Sequence, residues 1–279
     1  MYAHKVSPGD KVDLKSIDPQ QHGDLSEEIA VAATDALGKE LEELQELMYD
    51  AGVHALLVVL QGRDTSGKDG TIKCLAKHMN MAGCNVASFK VPTAEEAGHD
   101  FLWRAHRQTP VHGHATVFNR SHYEDVIVVR VHDLVPKDVW KKRYEHINAF
   151  ESGLSDANTL IVKLYLHISK GEQEQRLLER EKEIDKSWKL SVGDWKEREL
   201  WGDYTDAYEE ALKKTSTETA PWYIVPANHK WFRNLAVVEA LVETLKPHKK
   251  RWNAKMSEIG KTMVKELAEY RTSSAAKKK

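Results

Sequence analysis

Residues Gly62-Arg63-Asp64-Thr65-Ser66-Gly67-Lys68-Asp69 constrain this chain more than any other stretch. They follow the apolar run Ala55-Leu56-Leu57-Val58-Val59-Leu60 and precede a helical pattern from Gly70 to Met79. A strand, a glycine-rich loop and a lysine at a helix start together read as a phosphate-binding loop. Glycines let the backbone wrap close to an anion, the loop N–H groups turn inward, and the helix N-terminus adds positive partial charge. Lys68 supplies a full charge, and Gly62, Arg63, Thr65, Ser66, Gly67 and Asp69 are the other candidate phosphate-binding positions. The blander alternative is a glycine turn joining strand to helix; the setting of the motif favours the phosphate site.

Asp69 follows Lys68 where most such loops carry a Ser or Thr hydroxyl for Mg²⁺. Asp64 lies inside the loop instead. A carboxylate there repels phosphate unless a divalent cation stands between them, so Asp64 is expected to ligate Mg²⁺ directly or through water. Its alternative role is to cap the helix or close the turn. A second cluster follows the short apolar strand Ala115–Phe118, namely Asn119-Arg120-Ser121-His122-Tyr123-Glu124-Asp125. The strand beside a phosphate loop delivers ligands from its C-terminal end. Arg120 is placed to clamp a phosphate. Glu124 is a candidate metal ligand with Asp64, or else a helix-start charge.

Further apolar runs at 86–91, 160–168 and 222–225 alternate with helical stretches, which predicts a parallel sheet with helices on both faces. Residues 1–24 read as an extended arm. Ser26 to Tyr49 has the spacing of an amphipathic helix, with Asp24 and Glu27 as its capping pair. Ser169-Lys170-Gly171-Glu172 reads as a capping box opening a long charged helix, on which Arg176 and Arg180 share a face. Residues of about 176–200, between the last two core strands, occupy the place of a nucleotide-kinase lid. Arg176 and Lys196 are as well explained as solvated charges. Residues 25–250 are expected to form one domain, and 251–279 a polar helix ending in a disordered basic tail.

With 41 basic and 43 acidic side chains the net charge is −2, which gives no general attraction to nucleic acid. Any polyanion must therefore meet a local basic groove, and Trp103-Arg104-Ala105-His106-Arg107 could line one. Cys74 and Cys84 are too few for a disulfide framework. No run approaches a membrane span and no signal-peptide core is seen, so a cytoplasmic protein is expected.

The G-x-D-x-x-G-K-D-G loop, the F-N-R-S-x-Y-E-D-V stretch, Trp188-Lys189 and Ala220-Pro221-Trp222-Tyr223 together resemble the polyphosphate kinase 2 family, from about Val53 to Leu245. The resemblance implies an α/β, P-loop kinase-like three-layer sandwich with a helical lid. It also implies Mg²⁺-dependent transfer of the terminal phosphoryl group of inorganic polyphosphate to AMP or ADP, with Mn²⁺ as a substitute metal. Many members carry Asp at the position of Asn119; the Asn resembles the class III subgroup, which accepts both nucleotides. Arg180 falls where the family places a catalytic lid arginine. Lys186, Lys189 and Arg198 are the lid bases expected to bind phosphate. A homo-oligomer, dimer or tetramer, is also implied. Two rivals share parts of this pattern: an ATP-dependent nucleoside-monophosphate kinase, and a non-catalytic nucleotide- or polyphosphate-binding protein.

Overall fold

The computed structural model describes residues 1–182 and 192–276. In chain order the elements are β1 (His4–Val6), α1 (Glu27–Ala51), β2 (Ala55–Gln61), α2 (Lys68–Leu75), β3 (Cys84–Ser88), the short helices α3 (Ala94–Ala97) and α4 (Trp103–His106), β4 (Ala115–Asn119), α5 (Val128–Val131), α6 (Lys137–Asp156), β5 (Thr159–His167), α7 (Lys170–Lys182), α8 (Val192–Glu199), α9 (Trp201–Thr215), β6 (Trp222–Pro226), α10 (Lys230–Leu245) and α11 (Lys249–Ala276). The strands form one sheet in the order β1-β6-β5-β2-β4-β3. All neighbours are parallel except β1 against β6.

Every residue of β2 is buried. Side chains of a strand alternate between faces, so an apolar run without alternation requires cover on both sides. Leu56, Val58 and Leu60 pack with Leu41, Leu44 and Met48 of α1 and with Val237 and Leu241 of α10. Leu57 and Val59 pack on the other face, with Tyr144 and Ile147 of α6 and Tyr208 and Leu212 of α9. The result is the helix–sheet–helix sandwich of a P-loop kinase, with α7 and α8 lying between β5 and β6 in the lid position.

The local differences from expectation have local causes. The N-terminal arm is not wholly irregular, because His4–Val6 pair with Trp222–Ile224 at the sheet edge. Helix α1 is capped by Ser26, whose hydroxyl accepts from Ile29 N at 3.3 Å, rather than by Asp24. Strand β3 lies at 84–88 instead of 86–91. Its partner β4 ends at Asn119, opposite Ser88, and Arg120 then turns to φ 59°. Val91, left without a strand beside it, is 89% exposed. Helix α2 is shorter than the 70–79 pattern and starts at Lys68 itself. Helix α11 continues to Ala276, close to the end of the stretch 251–279 expected to finish as a tail. The expected capping box before α7 is half formed: Ser169 Oγ accepts from Glu172 N at 3.1 Å.

A buried polar cluster pins the far side of the sheet. Lys163 Nζ, at the centre of β5, donates to Glu151 Oε2 (2.6 Å), Tyr123 OH (2.9 Å) and Thr215 O (2.5 Å). Glu151 Oε1 in turn accepts from Tyr123 OH at 2.8 Å. Lys163 and Glu151 are each at most 1% exposed, and Lys163 holds the Glu151 carboxyl below its usual range against the opposing push of burial. Removing one member leaves the other charge stranded. Glu151→Ala should therefore cost about 3–5 kcal/mol of unfolding free energy, measured by urea denaturation; a loss under about 1 kcal/mol would show that the pair is dispensable.

Candidate active site

The loop after β2 is built on three left-handed positions, Gly62 (φ 152°), Thr65 (φ 63°) and Gly67 (φ 104°). At Gly62 a Cβ would stand 2.7 Å from Ser66 Oγ and 2.9 Å from Leu166 O, so the turn admits no side chain. Thr65 has no such freedom, and its unfavourable φ is held from outside. Arg176 Nη1 donates to Thr65 O (2.9 Å) and Gln173 Nε2 donates to Asp64 O (3.2 Å), both from α7. The remaining guanidinium donors of Arg176 reach Glu172, Ala227 O and Asn228 O. Arg176 is thus a buried strut under the loop and not the solvated charge that the helix pattern allows.

Lys68 folds back over the loop and donates to Gly62 O (2.7 Å) and Arg63 O (3.1 Å). Desolvation, with Arg120 adding repulsion, lowers its pKa to about 8 despite Asp64, Glu124 and Asp69 nearby. Arg120 stands beyond the end of β4, where Arg120 N still pairs with Leu60 O (3.0 Å). Its guanidinium lies between two carboxylates, 2.5 Å from Asp64 Oδ1 and 3.0 Å from Glu124 Oε2. Burial opposes its charge, but Glu124 and Asp64 outweigh that and raise its pKa above the ordinary arginine value. Asn119 Nδ2 donates to Asp69 Oδ1 (3.1 Å), joining the strand end to the first turn of α2. The predicted set Gly62, Asp64, Thr65, Ser66, Gly67, Lys68, Asp69, Asn119, Arg120 and Glu124 therefore converges at the ends of two adjacent parallel strands.

The predicted lid residues divide. Arg180 Nη1 lies 3.5 Å from Asp194 Oδ2 across α7 and α8. Burial and then Asp64 raise the Asp194 pKa, while Arg180, Arg120 and Lys68 lower it. Arg198 is spent inside the lid, on Lys170 O and Glu174. Lys186 and Lys189 lie outside the described residues. Arg63 points away from the loop interior: it stacks 3.8 Å above the Trp201 ring and donates to Trp201 O and Thr205 Oγ1. Only its main chain remains for the phosphate role that the motif suggests.

Of the stretch 103–107, Arg104 does line a cavity, together with a residue that sequence reasoning missed, Arg143. Asp125 is clamped by Arg104 (3.1 Å) and Arg143 (3.2 Å), and burial raises its pKa in spite of both. These three line a cavity of about 750 Å³ with Phe89, Phe101 and Val128, which opens onto Arg120 and Glu124. That volume lies in the range of small-molecule sites. Among the described residues no group of three or more His, Cys, Asp or Glu forms a metal cage. Asp64 and Glu124 offer hard oxygen donors beside a phosphate loop, which fits Mg²⁺, an ion that usually takes one or two carboxylates and completes its shell with water and substrate phosphates.

A phosphate loop at the end of an open, mainly parallel sheet, two helices set between the last two parallel strands and an arginine bracketed by carboxylates fit a P-loop phosphotransferase. The model of the family Polyphosphate kinase 2 (PPK2) matches residues 24–253. The chain is 50% identical over 247 residues to the AMP/ADP-polyphosphate phosphotransferase of Meiothermus ruber, covering 88% of this chain and 92% of that one. It is 42% identical to the ADP-polyphosphate phosphotransferase of Rhodopseudomonas palustris (86% and 88% covered). The crystal structure of polyphosphate kinase 2 from Arthrobacter aurescens superimposes with a TM-score of 0.83 at 42% identity, over 86% of this chain and 87% of that one. The chain belongs to the polyphosphate kinase 2 family.

Because the Lys68 pKa is depressed, its positive charge is complete below about pH 8 and is lost above it. Calorimetric affinity for tripolyphosphate should fall by about tenfold per pH unit above that point, and Lys68→Arg should flatten the profile. A profile unchanged between the two proteins would remove Lys68 from the anion site.

Proposed function

We propose that this chain transfers the terminal phosphoryl group of inorganic polyphosphate to AMP and to ADP, with Mg²⁺ held by Asp64 and Glu124. The observation that carries this reading is the guanidinium of Arg120, set between those two carboxylates at the mouth of the phosphate loop and facing the 750 Å³ cavity. The cavity suits the acceptor nucleotide and the loop suits the donor. The buried hydroxyls of Thr65, Ser66 and Thr71 have no hydrogen-bond partner among the described residues, and such a cluster supports a polar ligand at the loop.

The attacking group is a nucleotide phosphate oxygen, already ionised near neutral pH, so no general base is required. Catalysis is then positioning and charge neutralisation. Lys68 exchanges its two carbonyl contacts for the migrating phosphoryl group, and Arg120 turns from its carboxylates to the same group. Bound Mg²⁺ would supply charge neutralisation between donor and acceptor phosphates. Arg180, carried by the lid, adds a further cation as the site closes. Beyond the reacting phosphate, Lys186 and Lys189 are the lid bases suited to the polyphosphate tail. Asn119 and the AMP/ADP name of the Meiothermus ruber relative support acceptance of both nucleotides. The exposed apolar side chains of α11, including Met263, Val264, Leu267 and Tyr270, support self-association into a dimer or tetramer.

The purified protein with Mg²⁺, and polyphosphate as the only donor, should convert AMP to ADP and ADP to ATP, and chelation of the metal should stop both. Transfer to AMP from ATP, with none from polyphosphate, would establish the rival ATP-dependent kinase. Arg180→Ala should lower kcat by about 100-fold with little change in either KM. A change confined to KM would make Arg180 a binding contact only.

A further inference from the structure

Arg233, in the first turn of α10, is 4% exposed and lies against the back of the phosphate loop. A Cβ built on Gly67 would stand 2.0 Å from Arg233 Nη1, and one built on Gly70 would stand 3.0 Å from Nη2. The guanidinium is therefore seated on the two glycines that open α2. Its side-chain hydrogen bonds, from Nε (3.2 Å) and Nη2 (2.8 Å), both go to the amide oxygen of its neighbour Asn234. Among the described residues no carboxylate pairs with it. Arg176, close enough to add repulsion, differs on this point, because Glu172 pairs with it at 2.6 Å. Burial, with Arg176 second, lowers the Arg233 pKa to about 10.

A buried charge without a counter-ion costs several kcal/mol, and folds retain such a group where a ligand or a reaction uses it. Packing alone would be served by an uncharged side chain of similar length. The position is informative: the guanidinium adjoins the end of α2 whose N–H groups already point at the anion.

We infer that Arg233 is a fixed positive charge behind the phosphate loop, and that the polyanionic donor is the counter-ion it lacks within the protein. This rests on the loop being the donor site. Arg233 acts through the loop, without contact with the reacting atoms, so its effect falls on donor affinity and not on the acceptor or the chemical step. Reciprocally, polyphosphate relieves the unpaired charge and should stabilise the fold.

The test compares wild type with Arg233→Met and Arg233→Lys in full-length protein. Two quantities are read: KM for polyphosphate and for the nucleotide, and the rise in Tm caused by polyphosphate without nucleotide. In Arg233→Met the donor KM should rise by about tenfold, the nucleotide KM and kcat should hold, and the rise in Tm should shrink. Arg233→Lys should recover most of both donor effects. Donor KM and polyphosphate-induced Tm shift both at wild-type values in Arg233→Met, whatever that variant's own Tm, would overturn the inference, and so would equal losses for donor and nucleotide. If the wild-type chain itself showed no Tm shift with polyphosphate, the assignment of the loop to the donor would fail, and this inference with it.

Discussion

The ion pair of Arg120 with Asp64 and Glu124 is the contact on which the site depends. It joins the phosphate loop after β2 to the turn after β4, and these share no covalent link shorter than the intervening 55 residues. Three charges at this distance from one another, partly shielded from water, interact more strongly than an exposed pair. In the proposed reaction the guanidinium would stand between donor and acceptor, with a carboxylate at each side. A phosphate that takes Arg120 would then free Asp64 and Glu124 for a cation, so that binding redistributes contacts already made.

The scaffold keeps this cluster in place by fixing the backbone behind it. Leu60 O accepts from Arg120 N, so the β2–β4 ladder runs directly into the site. Tyr123 and His122, beside Glu124, are held by Glu151 and through it by Lys163 in the centre of β5. On the other flank Arg176 and Gln173 grip the loop carbonyls from α7, the helix that also carries Arg180. Helix α7 is therefore rooted in the phosphate loop. A displacement of α7 would be felt at Thr65, whose φ of 63° depends on that grip.

Much of the arrangement is legible in the sequence because it is local. The β2 run, the loop glycines and Lys68 are consecutive, and the order of strands and helices follows from apolar runs and caps. That Arg120 and Glu124 would stand beside the loop was also legible, because β4 neighbours β2 and both strand ends open at the same place. The struts were not. Arg176 bonds to carbonyls of residues 65, 227 and 228, and Arg63 bonds into α9, contacts that no periodicity encodes. One weak signal was available: Gln173, Arg176 and Leu177 fall on one face of α7 and all are buried, so the face that holds Arg176 is an inward face. Strand β1 was hidden for a related reason, since its three residues gain their strand character only from β6. Arg233 reads as one more charge on an otherwise apolar helix until Gly67 and Gly70 are placed against it.

In the proposed reaction Arg120 occupies the carboxylates until phosphate draws it away, so that metal and donor bind together. Mn²⁺ titration followed by electron paramagnetic resonance, with and without a non-transferable polyphosphate analogue, tests this most directly. Mn²⁺ should bind weakly to the protein alone and at least about tenfold more tightly with the analogue present, corrected for metal bound by the analogue itself, which corresponds to about 1.4 kcal/mol of coupling. Equal affinity in the two conditions would contradict it, because the carboxylates would then be open to the metal while Arg120 still held them.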